Sequence, residues 1–175
     1  DNLSDGGYDL KTLVVYAGEQ NIGKSIWLAN DAVNFVKCGY DVAFISAEMG
    51  DRKVIRRIGS NMLNIPMSEY DKKSRDQAFM TRKLQQIQGG MIPPGRLFVK
   101  EYPTSQATVL DIEAYLRDLE ETQGIKLKVI VIDYINILCN YRNPNSENTY
   151  LTIKHIAQDL RAMAKRNNWL IITAT

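Results

Sequence analysis

The sequence is poor in the residues that build metal clusters and disulfide frameworks. Two cysteines, Cys38 and Cys139, and one histidine, His155, occur in 175 residues. The cysteine spacing matches neither a zinc motif nor a disulfide framework, so we expect a reduced intracellular compartment. His155 falls within a helical pattern, which favours a surface or helix-packing role over catalysis.

Long apolar runs are also missing. No segment approaches the length that crosses a bilayer, and no signal peptide is visible, so a membrane protein is not expected. The net charge of +2 is too small to indicate nucleic-acid binding by itself, whereas 45% hydrophobic residues suffice for one domain with a core. Because the chain starts at Asp1 without a methionine and stops at Thr175 directly after an apolar run, we expect a piece of a longer protein.

Short apolar runs alternate with helical patterns along the whole chain. The predicted strands are "TLVVYA", "VAFIS", "RLFVK", "KVIVI" and "WLIIT". Helices are predicted over 24–38, 51–63, 74–88, 109–123 and 150–167, with a capping box at Thr108 and Asp111. Alternation of this kind predicts an α/β fold whose mostly parallel sheet carries helices on both faces. Residues 1–9 are polar and are interpreted as the end of a linker, and 10–175 as the domain.

The stretch "GEQNIGKS" matches the phosphate-loop pattern G-x-x-x-x-G-K-[ST], with a strand before it and a helix after it. Its glycines permit a sharp turn and a close backbone approach, and its N–H groups can face an anion. Lys24 is expected to reach the β- and γ-phosphates, and the Ser25 hydroxyl to bind Mg²⁺. Glu19 is expected to point away from phosphate. The predicted nucleotide-binding residues are Gly18, Glu19, Gln20, Asn21, Ile22, Gly23, Lys24, Ser25 and Ile26.

Two carboxylates follow other predicted strands. Asp133 ends "KVIVID", where it can hold Mg²⁺ directly or through water. Glu48 follows "VAFISA", where it can accept a proton from an attacking water. In many phosphate-loop enzymes the base directly follows the metal-binding aspartate, but here that residue is Tyr134, which strengthens the case for Glu48.

The ordered set "GGYDL", "GEQNIGKS", "FISAEM", "VIVIDYINIL" and "LRAMAKRNNWLIITAT" resembles the motor core of DnaB-type hexameric replicative DNA helicases, with the strongest likeness to those of T-even bacteriophages. The resemblance covers nearly the whole chain. It implies a RecA-like phosphate-loop NTPase fold, truncated at its carboxyl end, that uses ATP and Mg²⁺. It also implies that Lys24 and Glu48 are catalytic, and that Ser25 and Asp133 bind the metal.

The resemblance further implies that the intact protein assembles into a hexameric ring and translocates on single-stranded DNA, in the cytoplasm of a host cell if a phage encodes it. Primase and a helicase loader are the other implied partners. The sensor, the later DNA-binding loops and the arginine finger of the family would follow Thr175. We therefore expect the 175-residue chain alone to hold nucleotide weakly, to hydrolyse it slowly and to unwind nothing.

Other interpretations of the sequence stay open. The loop "NYRNPNSEN" could bring Tyr141 and Arg142 to DNA, although a solvated loop is favoured. The basic cluster "DRKVIRR" is interpreted as a solvated helix face or a subunit contact. A RecA-type recombinase would share these motifs, but "IDYINIL" fits the helicases better. A regulatory or assembly module that binds nucleotide without unwinding DNA is the third possibility.

Overall fold

The computed structural model describes residues 7–19, 21–142 and 148–175. Five parallel strands form one sheet in the order β1-β5-β4-β2-β3. They are β1 (Leu13–Tyr16), β2 (Val42–Ser46), β3 (Leu97–Glu101), β4 (Val129–Asp133) and β5 (Leu170–Ala174). Each predicted strand is present, and the prediction of a parallel α/β sheet is confirmed.

Six α-helices connect these strands or extend the connections. They are α1 (Lys24–Lys37), α2 (Asp51–Leu63), α3 (Met67–Lys73), α4 (Gln77–Gln88), α5 (Val109–Gln123) and α6 (Thr149–Asn167), and a short 3₁₀ helix covers Ile135–Ile137. The sequence did not predict α3, because this mostly polar helix buries no residue and so carries no hydrophobic period. The prediction that α4 starts at Ser74 was wrong, since Asp76 caps it by accepting a hydrogen bond from the Phe79 N–H at 3.0 Å.

The sheet is buried on both faces. On one face α1 and α2 pack against alternate strand residues, including Phe44 and Val131. On the other face α5 and α6 pack against the residues between them, including Ile45 and Ile132. All five residues of β2, of β4 and of β5 are buried, as expected for central parallel strands. Two sheet–helix cores therefore hold the strands in a fixed register.

Most helix faces are as predicted, and two residues are not. Leu28 on α1, Ile112 on α5 and Leu160 on α6 are fully buried. Ile55 on α2 fits the helical spacing of hydrophobic residues but is 46% exposed, and Leu151 on α6, which the spacing predicts to face inward, is 41% exposed. Leu151 lies in the first turn of α6, before that helix reaches the core. Its first buried residue is Ile156.

Because all five strands are parallel, their carboxyl ends lie along one edge of the sheet. The glycine-rich loop follows β1 and Glu48 follows β2. Asp133 is the last residue of β4. The topology thus gathers the predicted site residues at one place, although they lie more than 100 positions apart. None of the helices in the described segments is long and apolar enough to cross a membrane.

Candidate functional site: a nucleotide pocket at the carboxyl edge of the sheet

The loop after β1 delivers the amino end of α1 to the edge of the sheet. Gly23 is the residue before α1 and has φ +91°, a left-handed conformation that glycine adopts without strain. No side chain among the described residues caps this end of α1. Its first N–H groups are therefore available to an anion, and the helix dipole favours negative charge there. Gln20 lies outside the described residues.

Lys24 closes this loop on itself. Its Nζ donates hydrogen bonds to the backbone oxygens of Gly18, at 2.6 Å, and Glu19, at 2.9 Å. Both acceptors are neutral carbonyls, so a phosphate oxygen would offer the ammonium a stronger, charge-assisted partner. Ile22 folds over Gly18 so closely that a Cβ built on Gly18 would lie 2.2 Å from Ile22 Cδ1. A larger residue at position 18 would have to move the end of the exposed Ile22 side chain.

Ser25 and Asp133 meet across the gap between α1 and β4. The Ser25 hydroxyl donates to Asp133 Oδ1 at 3.1 Å. Asp133 is fully buried, and among the described residues its Oδ2 has no hydrogen-bond partner. Burial raises the pKa of Asp133, and the Glu48 charge adds to this, while Ser25, Arg57 and Lys24 act in the opposite direction. A buried carboxylate oxygen without a partner is a costly feature that a bound cation would compensate.

These two side chains fit a magnesium site completed by phosphate. Mg²⁺ is a hard cation that proteins bind through few side-chain oxygens, with substrate phosphates and water supplying the remaining ligands. In the described part of the chain, no group of three or more His, Cys, Asp or Glu side chains could hold a metal by itself. The hydroxyl of Ser25 and the unpaired Oδ2 of Asp133 are thus candidate ligands for such an ion among the described residues.

Glu48 lies in a tight turn that starts at the end of β2. The buried Ser46 hydroxyl donates to the Met49 carbonyl at 2.6 Å and accepts from the Met49 N–H at 3.1 Å. This double hydrogen bond fixes the turn while the Glu48 side chain stays exposed. Its carboxylate is therefore free to meet a ligand in the pocket.

One open cleft of about 640 Å³ brings these groups together, and we call it the nucleotide pocket. Its lining comprises Gly18, Glu19, Asn21, Gly23, Lys24, Ser25, Ile26, Glu48, Met49, Arg57, Asp133, Tyr134, Asn136 and Thr175. The predicted Lys24, Ser25, Glu48 and Asp133 all belong to it, as do the other predicted binding residues that the structure describes, except Ile22. Glu19 belongs to it as well, although its side chain was expected to point away.

Arg57 is a pocket residue that the sequence did not single out for this role. The cluster "DRKVIRR" was interpreted as a solvated face, which holds for the exposed Arg52 and Lys53. Arg57 instead lines the nucleotide pocket. The sequence did offer one indication of this role. Arg57 lies three residues after the buried Val54 and therefore beside the buried face of α2, a helix that begins shortly after Glu48.

A second cleft of about 580 Å³ lies between the start of β1 and α6. It is lined by Lys11, Thr12, Leu13, Lys154, Ala157, Gln158, Arg161 and Lys165. This lining contains no carboxylate and no helix amino terminus. It therefore lacks the parts that bind and hydrolyse a nucleotide.

Arg142, in the described part of the predicted DNA loop, lies beside α6 and does not line the nucleotide pocket. Arg142 forms an ion pair with Asp159, and its backbone N–H donates to the buried Asn140 side chain at 3.1 Å. Asn140 also contacts His155, with 3.4 Å between the Asn140 Nδ2 and His155 Nδ1 atoms, which agrees with a packing role for the histidine. Residues 143–147 lie outside the described residues. Arg142 is thus engaged within the protein and is not an isolated cation.

Comparison with known proteins places this chain in a family. The family model described as the DnaB-like helicase C terminal domain matches residues 1–175. The chain belongs to the DnaB-like helicase C-terminal domain family. A DnaB-like replicative helicase of Enterobacteria phage T4 is 32% identical over 173 residues, covering 98% of this chain and 36% of that relative. A probable plasmid replicative DNA helicase of Chlamydia psittaci is 29% identical over 152 residues, covering 86% of this chain and 31% of the relative.

Solved structures agree on the fold of this DnaB-like domain. A DnaB-like replicative helicase, studied with its interactions with primase, superimposes with a TM-score of 0.76 at 19% identity, covering 96% of this chain and 40% of that one. A second structure, an ATPase domain, gives a TM-score of 0.74 at 20% identity and covers 96% and 58%. The RecA-like fold is therefore confirmed. The chain spans about a third of the length of the curated relatives described above.

Proposed function

We propose that this DnaB-like domain is the ATP-binding and ATP-hydrolysing motor of a replicative DNA helicase. The observation that carries the proposal is the convergence of Lys24, Ser25, Glu48 and Asp133 on one pocket from three separate strands. A phosphate-binding helix end, a metal-binding pair and an exposed carboxylate are the three parts that hydrolysis of a nucleoside triphosphate requires.

The triphosphate would lie at the amino end of α1, where Lys24 would exchange the carbonyls of Gly18 and Glu19 for phosphate oxygens. Ser25 and Asp133 would hold Mg²⁺ through the Ser25 hydroxyl and the unpaired Oδ2. The bound ion would neutralise negative charge on the phosphates. The full burial of Asp133 would limit the directions from which that ion can approach and so fix where it binds.

Glu48 would accept the proton of the attacking water, because its exposed carboxylate lines the pocket from a turn that the Ser46 hydroxyl holds in place. Arg57 would add positive charge on the same side, where transition-state charge develops. The rate would stay low without a further cation, because phosphoryl transfer in related hydrolases gains about 10³–10⁵ from an arginine finger.

At the level of the intact protein, we propose a ring of identical subunits that moves along single-stranded DNA. The T4 and Chlamydia psittaci relatives, both described as replicative helicases, support this proposal. The DnaB-like structure described with primase supports primase as a partner. A helicase loader is proposed only from the resemblance. The segment around Tyr141 and Arg142 remains our candidate for a DNA contact within this chain.

The first prediction tests phosphate binding. Lys24→Ala should weaken Mg²⁺–ATP binding at least tenfold, because the ammonium is the only full positive charge supplied by the loop itself. Titration calorimetry on the folded protein measures this. Lys37→Ala is the matched control, since it removes a lysine from the other end of α1. Equal affinity of wild type and Lys24→Ala would overturn the nucleotide site.

A second measurement separates the helicase from its two rivals. ATP turnover of the full-length protein is measured with and without single-stranded DNA, together with fork unwinding and strand exchange. DNA-stimulated turnover with unwinding supports the helicase. Strand exchange without unwinding would identify a recombinase, and binding without DNA-stimulated turnover would identify a regulatory nucleotide-binding module.

A further inference from the structure

The segment Tyr102–Ala107, which we call the strap, leaves β3 and passes along the turn that carries Glu48. The Tyr102 N–H donates to the Ser46 carbonyl at 2.9 Å, which continues the β2–β3 pairing by one residue. Two residues later, the Thr104 hydroxyl donates to the Ala47 carbonyl at 2.9 Å. The strap therefore contacts the turn by backbone at its start and by a side chain at Thr104.

The other side of the strap is tied to the segment that follows Asp133. The Ser105 N–H donates to the Ile137 carbonyl at 2.9 Å. The Cys139 N–H donates to the Ala107 carbonyl at 2.8 Å, and a bridge pairs Cys139 with Thr108. Thr104 thus projects from a segment that is anchored on both sides, so its hydroxyl is a fixed donor.

The peptide unit between Ala47 and Glu48 is the place where this donor acts. The Ala47 carbonyl that accepts from Thr104 belongs to the same planar unit as the Glu48 N–H. The Ala47 N–H donates to the Asp133 carbonyl at 3.0 Å. Hydrogen bonds from two directions therefore set the orientation of the backbone from which the Glu48 side chain projects.

We propose that Thr104 is a positioning residue for hydrolysis, one that sets where the Glu48 carboxylate stands relative to Asp133. The inference rests on the proposed function, in which Glu48 takes a proton from water. Without the Thr104 hydroxyl the Ala47–Glu48 peptide plane loses the hydrogen bond that its carbonyl accepts and can rotate, while the Ala47 N–H still holds the peptide plane before it. A displacement of about 1 Å at a catalytic group can cost up to about 10²-fold in rate. Thr104 does not touch the nucleotide pocket, so binding should be unaffected.

The experiment compares single-residue variants in the full-length protein at saturating single-stranded DNA. Thr104→Val keeps the shape and removes the hydroxyl. We expect kcat for ATP to fall about tenfold, with KM and nucleotide Kd within about twofold of wild type. Thr104→Ser restores the donor and should restore most of kcat. Thr122→Val is the matched control, because Thr122 donates to a carbonyl, that of Asp118, at 2.8 Å on the exposed side of α5.

Each outcome decides the matter. A fall in kcat with Thr104→Val, rescued by Thr104→Ser and absent in Thr122→Val, supports the positioning role. Unchanged kcat in Thr104→Val, or a fall that Thr104→Ser does not reverse, would overturn it. Glu48→Gln is run in parallel: if that variant also turns over ATP normally, the proposed function fails, whereas if only Thr104→Val is normal, this inference alone fails.

Discussion

Two buried carboxylates lie at different places in this domain, and their surroundings are opposite. Asp133, in the nucleotide pocket, is fully buried and has an oxygen without a partner among the described residues. Glu113, on α5, is 8% exposed. It accepts hydrogen bonds from Arg166 at 2.7 Å, Asn167 at 2.6 Å and Arg117 at 3.2 Å. We call Glu113, Arg117, Arg166 and Asn167 the acid–arginine cluster.

The pKa values of Asp133 and Glu113 are shifted in opposite directions, which agrees with this difference in hydrogen bonding. Burial raises the pKa of Asp133 above its usual 3.8. Burial also acts to raise the pKa of Glu113, but hydrogen bonds from Arg166 and Asn167 outweigh it and hold the pKa below the usual 4.5. The cluster is thus complete within the folded chain and joins α5 to α6. In the pocket, by contrast, Oδ2 of Asp133 has no partner among the described residues, and this supports the proposed cation site.

The largest expected effect is on the rate of ATP hydrolysis, which Glu48→Gln should lower and Glu113→Gln should not. Glu48→Gln keeps the side-chain shape but removes the proposed base. In the full-length protein, ATP turnover should fall by about 10²–10⁴-fold, with near-normal ATP binding. Glu113→Gln should leave kcat unchanged at temperatures where the variant is folded. Steady-state kinetics with calorimetric binding measures both, and normal turnover in Glu48→Gln would assign the base to another residue.

A smaller effect concerns the free energy of unfolding without nucleotide or Mg²⁺. Glu113→Gln removes the negative charge that two arginines share and replaces one of its two acceptor oxygens with an NH2 donor, so it should destabilise the protein by about 1–3 kcal/mol. Asp133→Asn removes an unfavourably buried charge and should leave stability unchanged or raise it. Urea unfolding of the two amide variants beside wild type measures the difference. If Glu113→Gln and Asp133→Asn were equally destabilised, the distinction between the pocket and the acid–arginine cluster would be contradicted. In a separate binding measurement, Asp133→Asn should lose the Mg²⁺ dependence of ATP binding.

The smallest effect is the pH dependence of these stabilities, which should have opposite signs. The lowered pKa of Glu113 means that its contribution is present above about pH 4.5 and is lost as pH falls through the folded-state pKa. The raised pKa of Asp133 favours the protonated folded state. Its contribution is therefore present below about pH 3.8 and is lost as pH rises through the folded-state pKa.

Unfolding of wild type and both variants, measured over the acid range without nucleotide, tests these signs. On raising pH, Glu113→Gln should lose stability relative to wild type and Asp133→Asn should gain. Parallel curves for the three proteins would show that neither carboxyl group has a shifted pKa.

The order and type of the main elements were predictable because each leaves a local signal. Five apolar runs gave the strands, and the capping box at Thr108 and Asp111 is present as expected. The short helix α3 was missed because it buries nothing. The exposure of Ile55 was not predictable, because a hydrophobic residue next to a buried helix face fits the same spacing as one within that face.

The residues of the candidate site also divide into those that the sequence identified and those that it did not. Glycine spacing and strand ends identified Lys24, Ser25, Glu48 and Asp133 from the sequence. Arg57 was not identified, because a charged residue on a predicted helix is normally assigned to the solvent-exposed face. Only the packing of α2 against the sheet shows that Arg57 lines the pocket.

The sequence by itself determined the phosphate loop, the carboxylates at the strand ends and the parallel α/β class, because each depends on a few neighbouring residues and their period. Only the tertiary structure decided which of the two buried carboxylates, Glu113 or Asp133, has hydrogen-bond partners on both of its oxygens. Glu113 meets Arg166 and Asn167 across more than fifty positions, and Asp133 meets Ser25 across more than a hundred. Residues that become neighbours only because of the order of the strands leave no periodic pattern along the sequence. The same reason hid Thr104, whose contact with Ala47 exists because β2 and β3 lie side by side.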